Sequence, residues 1–301
     1  MEIDWKRAWY FISQILSTLG FAFVGLFVAQ TFALLVAKGI FHFDPEQMGD
    51  IVSNPSHDFG QVMFARTFQM ITSLGFFAMP VFFYCRFYHY PTLSTLRINK
   101  RFTLVQFIGV VVFAVGALFA MFLLSDINSR IPMPDSLRLK AQAMAEVQER
   151  AITAMMYMPS VVHLFANILV VGLVAAFGEE LMFRGLLQPL FKNWTKSIHL
   201  GILITAALFS AIHFDLNGFL PRMAIGMAFG YLFYWTGNLW ITILAHFINN
   251  SIEVLIYYFK DSISWCNYFI EVKYMPISWG LLGFVVVGFI LFLFKRKAKL
   301  A

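Results

Sequence analysis

Charge is scarce in this chain: Asp, Glu, Lys and Arg make up 13% of its 301 residues, while 60% are apolar. A soluble domain carries about a quarter charged residues, so this composition and a mean hydropathy of +0.73 exclude an ordinary water-soluble globule. Cysteine is scarcer still. Cys85 and Cys266 lie far apart and outside any CxxC pair, which argues against a disulfide framework or a thiolate zinc site. The ten-residue alternating segments of a membrane β-barrel are missing. So are HExxH, GxSxG and GxGD, which removes the usual zinc, serine and aspartyl arrangements but not an unusual one. No internal repeat, low-complexity tract or soluble domain is visible. The net charge of +6 comes from loops and tails, so it speaks of membrane topology and not of a nucleic-acid partner.

What the chain has in quantity is long apolar runs. Eight can be placed, near Trp9–Ala37, Thr67–Tyr84, Phe102–Leu124, Pro159–Phe177, Ile198–Phe214, Pro221–Trp235, Leu239–Phe259 and Ile277–Phe294. About 20 apolar residues span a bilayer as a helix, so the expected fold is an all-α membrane protein, a bundle of about eight transmembrane helices with a buried polar site. The first run follows Lys6 and Arg7 without a convincing cleavage site, and is expected to be a retained helix.

Basic residues fall on alternate loops: Lys6 and Arg7; Arg86, Arg97, Lys100 and Arg101; Lys192 and Lys196; and the tail Lys295, Arg296, Lys297 and Lys299. The loop with Asp44, Glu46, Asp50 and Asp58 is acidic. Both termini are therefore expected in the cytoplasm, in a bacterial inner membrane. Ala141 to Met158 reads as an amphipathic helix at the interface. The expected division is 1–158, a three-helix region with that interfacial helix; 159–260, the helices bearing chemistry; and 261–301, a last span and basic tail, all one integral unit. Gly226 and Gly230 form a GxxxG suited to close helix packing.

Ionisable groups inside a bilayer cost roughly 2.5–3.5 kcal/mol each on insertion scales, which makes those in the apolar runs candidates for function. Glu179 and Glu180 follow the run ending at Phe177. Glu180 and Arg184 are four apart and can pair on one helical face, while Glu179 points about 100° away. His213 ends the fifth run, with Asp215 two residues on as a group that could orient it. His246 and Asn250 share a face of the seventh, and Glu253 follows them, better read as marking the membrane edge. At 1.5 Å per helical residue, Glu179 lies about 20 Å from Lys192, His213 about 20 Å from Trp194 with about 15 of the intervening residues helical, and His246 about 12 Å from Asn238. The three clusters can share one slab of the bundle.

Glu179 with His213 could polarise one water for hydrolysis of a peptide bond, with His246 and Asn250 donating to the oxyanion and Arg184 holding Glu180 charged. A zinc ion held by Glu179, His213 and His246, with an open position for water, is equally drawable, and needs Glu180 or another residue as base. A non-enzymatic immunity or scaffold protein and a proton-coupled transporter using Glu179, Glu180 and His213 are the alternatives. The absence of a repeat lowers the transporter.

Glu179-Glu180-x-x-x-Arg184, Phe209-x-x-x-His213 and His246-x-x-x-Asn250, in that order on separate helices, resemble the CPBP family, the CAAX prenyl endoproteases and bacteriocin-processing enzymes also called Abi. The resemblance covers about Val161 to Ser251. It implies an intramembrane endopeptidase with Glu179 as catalytic carboxylate, His213 sharing water activation, His246 and Asn250 as oxyanion or metal-site residues, and Glu180 and Arg184 supporting them. Family members have been described both as metalloproteases and as glutamate proteases, so zinc stays open. The substrate class implied is a membrane-associated or lipidated peptide, prenylated in eukaryotic relatives.

Overall fold

A computed structural model describes residues 5–53, 58–272 and 275–298. Among these all the regular structure is helical, without strands. Six helices are long and apolar enough to cross a membrane: α1 (Trp5–Phe41), α2 (Phe59–Phe87), α3 (Leu104–Ser129), α5 (Val161–Thr195), α8 (Leu239–Tyr258) and α9 (Ile277–Ala298). An amphipathic helix, α4 (Asp135–Met155), and the shorter α6 (Ile198–Ala211) and α7 (Phe219–Thr236) complete the main elements. Each of the eight apolar runs falls on one of these helices, and the protein is an integral membrane protein. Lys299 lies outside the described residues.

Local signals place the helix ends. Thr103 and Gln106 form a reciprocal capping box at the start of α3. Ser197 and Asn238 accept backbone N–H groups at the starts of α6 and α8. Gly237, at φ 55°, closes α7 in the left-handed conformation that costs glycine nothing. The amphipathic helix starts at Asp135 instead of near Ala141, because Pro134 presets its entry and Asp135 favours the positive helix end.

Two apolar clusters hold the bundle. One joins α1 and α2 to α5 and α8 through Val81, Tyr84, Leu181, Phe183 and Ile243; the other joins α3, α7, α8 and α9 through Phe113, Phe229, Ile241 and Ile290. Apolar burial against lipid gains little, so contact distance matters most. A Cβ on Gly283 would meet the Gly116 carbonyl at 2.5 Å, which is how closely α3 and α9 approach.

The run that ends at Phe177 continues without interruption through Gly178 and the glutamates as α5, which carries two π-helical segments, Ile168–Val174 and Leu181–Leu187, either side of Gly178. Each widens the helix and turns the side chains that follow. Gly178 itself is a packing position, where a Cβ would lie 3.1 Å from Phe77.

Candidate active site

The short α-helical stretch Ala175–Glu180 presents both glutamates between the π segments. Glu180 is fully buried. Its Oε1 accepts from Arg184 Nη1 at 2.6 Å and contacts His246 Nδ1 at 2.9 Å. The second nitrogen of His246, Nε2, stands 3.7 Å from Glu179 Oε2, longer than a hydrogen bond but within ion-pair range. His246 of α8 is thus held between two carboxylates of α5. Its ring stacks on Phe229 at 5.3 Å and meets the edge of Phe209 at 5.9 Å, which fixes its plane.

Arg184 is 1% exposed and multiply engaged. Beyond Glu180 it donates to the Gly226 carbonyl at 2.9 Å and lies 4.8 Å from the Phe209 ring centroid. One turn later Gln188 donates to the Gly230 carbonyl at 3.1 Å. The GxxxG of α7 therefore does more than pack: without side chains, Gly226 and Gly230 offer their carbonyls to a polar stripe on α5. A Cβ on Gly230 would meet Ile202 at 2.9 Å and Gln188 Oε1 at 3.0 Å.

His213 lies just past α6, its Nδ1 2.8 Å from the Phe209 carbonyl. That contact makes Nδ1 the protonated nitrogen and leaves Nε2 as the free basic one. His213 is within electrostatic reach of Glu179, Arg222 and His246. Asp215 does not orient it. Arg222 pairs with Asp215, whose Oδ1 also accepts from Asn217 N at 2.9 Å, so the carboxylate is committed to its own turn. Asn250 donates to the Val171 carbonyl at 3.0 Å, tying α8 to the first π segment. Glu253 is exposed, one turn past Asn249, which contacts it at 3.4 Å.

Residues 161–252, which contain these groups from Glu179 to Asn250 and leave out Glu253, match the family model for type II CAAX prenyl endopeptidase Rce1-like proteins. Over that stretch the chain is similar to Rce1-like proteins. The chain is 34% identical over 90 residues to the uncharacterized protein YpbD of Bacillus subtilis (strain 168), covering 29% of this chain and 43% of that protein. It is 31% identical over 88 residues to "Putative membrane peptidase YdiL" of the same organism, covering 29% of this chain and 36% of that protein. The chain thus spans less than half the length of either relative. No solved structure matches it.

Glu179, His213 and His246 are suitable zinc donors by type. Among the described residues, however, no three His, Cys, Asp or Glu side chains stand together as a group that could hold a metal ion. The Nδ1 atoms of His246 and His213 are engaged by Glu180 and by the Phe209 carbonyl, which leaves the two Nε2 atoms as the imidazole donors that an ion would use.

Three polar residues went unremarked in the sequence. Gln188 continues the Glu180–Arg184 spacing by another four residues, a signal that was there to be seen. Asn128 and Arg66 lie outside the Rce1-like stretch and carry no motif. A cavity of ≈ 750 Å³ lies away from Glu179 and Glu180, under the end of α4 and lined by Glu149, Arg150, Tyr257 and Lys260, so it is side-chain chemistry and not cavity size that marks the candidate site.

Proposed function

We propose that the protein is an intramembrane endopeptidase that hydrolyses a peptide bond in a membrane-associated or lipidated peptide. The observation that carries this is His246 seated between Glu180 at 2.9 Å and Glu179 at 3.7 Å inside the Rce1-like stretch.

Glu180, fixed by Arg184, keeps His246 oriented. Glu179 and His213 Nε2 polarise a water. Glu179 takes the water's proton as the oxygen adds to the carbonyl carbon of the scissile bond. His246 Nε2–H and the second amide hydrogen of Asn250 stabilise the oxyanion. The C–N bond then breaks as Glu179 returns its proton to the amine nitrogen, and a carboxylic acid and an amine leave, the acid passing its remaining proton to the amine or to water on release. Each of these steps uses the chain's own residues. The helices of residues 159–260 carry this chemistry, those on either side support it, and both termini lie in the cytoplasm.

Cleavage of a membrane-anchored peptide library by the purified protein in nanodiscs tests the proposal. Glu179→Ala, His213→Ala and His246→Ala are each expected to lower the rate at least a hundredfold, the scale of a lost general acid–base group, without loss of insertion or melting temperature. Full activity in Glu179→Ala would overturn it. Metal analysis, with and without chelator, bears on the catalytic type: stoichiometric zinc that is needed for cleavage would replace the step written for Glu179.

A further inference from the structure

The turn between α6 and α7, residues 212–218, carries His213 and has no regular structure of its own. Phe214 sits in the left-handed region at φ 51°, a conformation of order 1–3 kcal/mol unfavourable for a bulky residue, which persists only where neighbours over-determine it. Irregular backbone within a membrane bundle also needs partners for its carbonyls, since lipid supplies none. Partners for two of these carbonyls come from another helix. Asn128, at the end of α3, is 3% exposed. Its amide nitrogen donates to the carbonyls of Leu216 and Asn217, each at 2.8 Å. Its Oδ1 accepts the Leu220 N–H at 3.1 Å.

That last contact is a helix cap supplied by a different helix. The N-cap residue of α7 is Gly218, which has no side chain with which to cap. A Cβ there would meet the Arg222 guanidinium and, at 2.6 Å, Asp215 Oδ2, the ends of flexible side chains that can shift aside. Asn128 provides the missing acceptor and spends both amide hydrogens on the turn. Ser210 completes the closure, donating to the Phe219 carbonyl at 2.7 Å. An aspartate would have nearly the same shape as Asn128, but it would point a carboxylate oxygen at two carbonyls. Only the amide fits this place.

We infer that Asn128 is a positioning residue for His213: its three-bond clamp, reaching from outside the Rce1-like stretch, sets where the imidazole stands relative to Glu179. Its bearing on catalysis rests on the proposed peptidase function; its hold on His213 does not.

The test uses the full chain in nanodiscs with Asn128→Ala and the isosteric Asn128→Asp. Diethylpyrocarbonate modification of His213 and His246 is followed by mass spectrometry, alongside kcat, KM and melting temperature. The expected result is modification of His213 several-fold faster with His246 unchanged, kcat lower by tenfold or more, and KM within twofold, with Asp no better than Ala. Unchanged His213 modification, an equal rise at His246, or unchanged kcat with His213 released would each overturn the inference. So would wild-type behaviour of Asn128→Asp, which would make the residue a space filler. Failure of both variants to fold would make it a stability element, and overturn it too. Labelling reads the hold on His213 without any cleavage, so a failed cleavage assay with Glu179 tests the peptidase function alone.

Discussion

Arg184 and Arg66 are buried to the same extent, 1% exposed each, in surroundings that differ in kind. Arg184 of α5 faces a carboxylate at 2.6 Å, and through it an imidazole. Arg66 of α2 bonds uncharged oxygens: Asn167 Oδ1 at 2.6 Å and the carbonyls of Met155 at 2.9 Å and Tyr157 at 2.7 Å. Met155 closes α4, so Arg66 lies at the negative end of that helix and stands in for its missing cap. One cation tunes a charged cluster; the other fastens an amphipathic helix to the bundle. Burial alone does not mark a functional charge, whereas the identity of its partners does.

The largest effect should come from splitting the Glu180–Arg184 pair. Glu180→Ala leaves a buried guanidinium without its counter-charge, and about 3–5 kcal/mol of stability should be lost in a denaturant titration, together with cleavage. Glu180→Gln combined with Arg184→Met should regain most of that stability and none of the activity. A double variant that cleaves at the wild-type rate would show the pair to be scaffolding, like Arg66.

A smaller effect is expected at the other arginine. Arg66→Met forfeits bonds to three oxygens and should cost about 1.5–3 kcal/mol, with kcat changed less than threefold. A kcat loss as large as that of the Glu180 variant would erase the distinction between the two arginines. The smallest effect is expected at Gln188. Its Nε2 is bonded to Gly230 but its Oε1 is a buried acceptor without a partner, so Gln188→Met removes one bond and one unsatisfied group together. Melting should move by no more than about 1 kcal/mol equivalent in either direction. A larger loss would mean that the orphan oxygen holds an internal water.

Much of this was legible in the chain. The eight apolar runs predict the helices because length and hydropathy are local properties. The four-residue spacing of Glu180 and Arg184 predicts their pairing, which the structure has at 2.6 Å. His246 and Asn250 lie on one face as their spacing requires, yet they meet different partners: Glu180 for the histidine, the Val171 carbonyl for the asparagine. No spacing rule could give that, because the π segments of α5 alter the phase of its faces on either side of the glutamates. The tie between His213 and the Phe209 carbonyl is local, but the commitment of Asp215 to Arg222 depends on how α7 enters after the turn.

By itself the sequence determined that the chain is a membrane-embedded helical bundle and which polar groups its apolar helices carry, since hydropathy and helical period act over a few turns. Only the tertiary structure decided which of those groups touch. It set His246 between two glutamates, closed the end of α4 with Arg66 and brought Asn128 to the turn of His213, because helix crossings and π-helical register are settled by packing across the whole bundle.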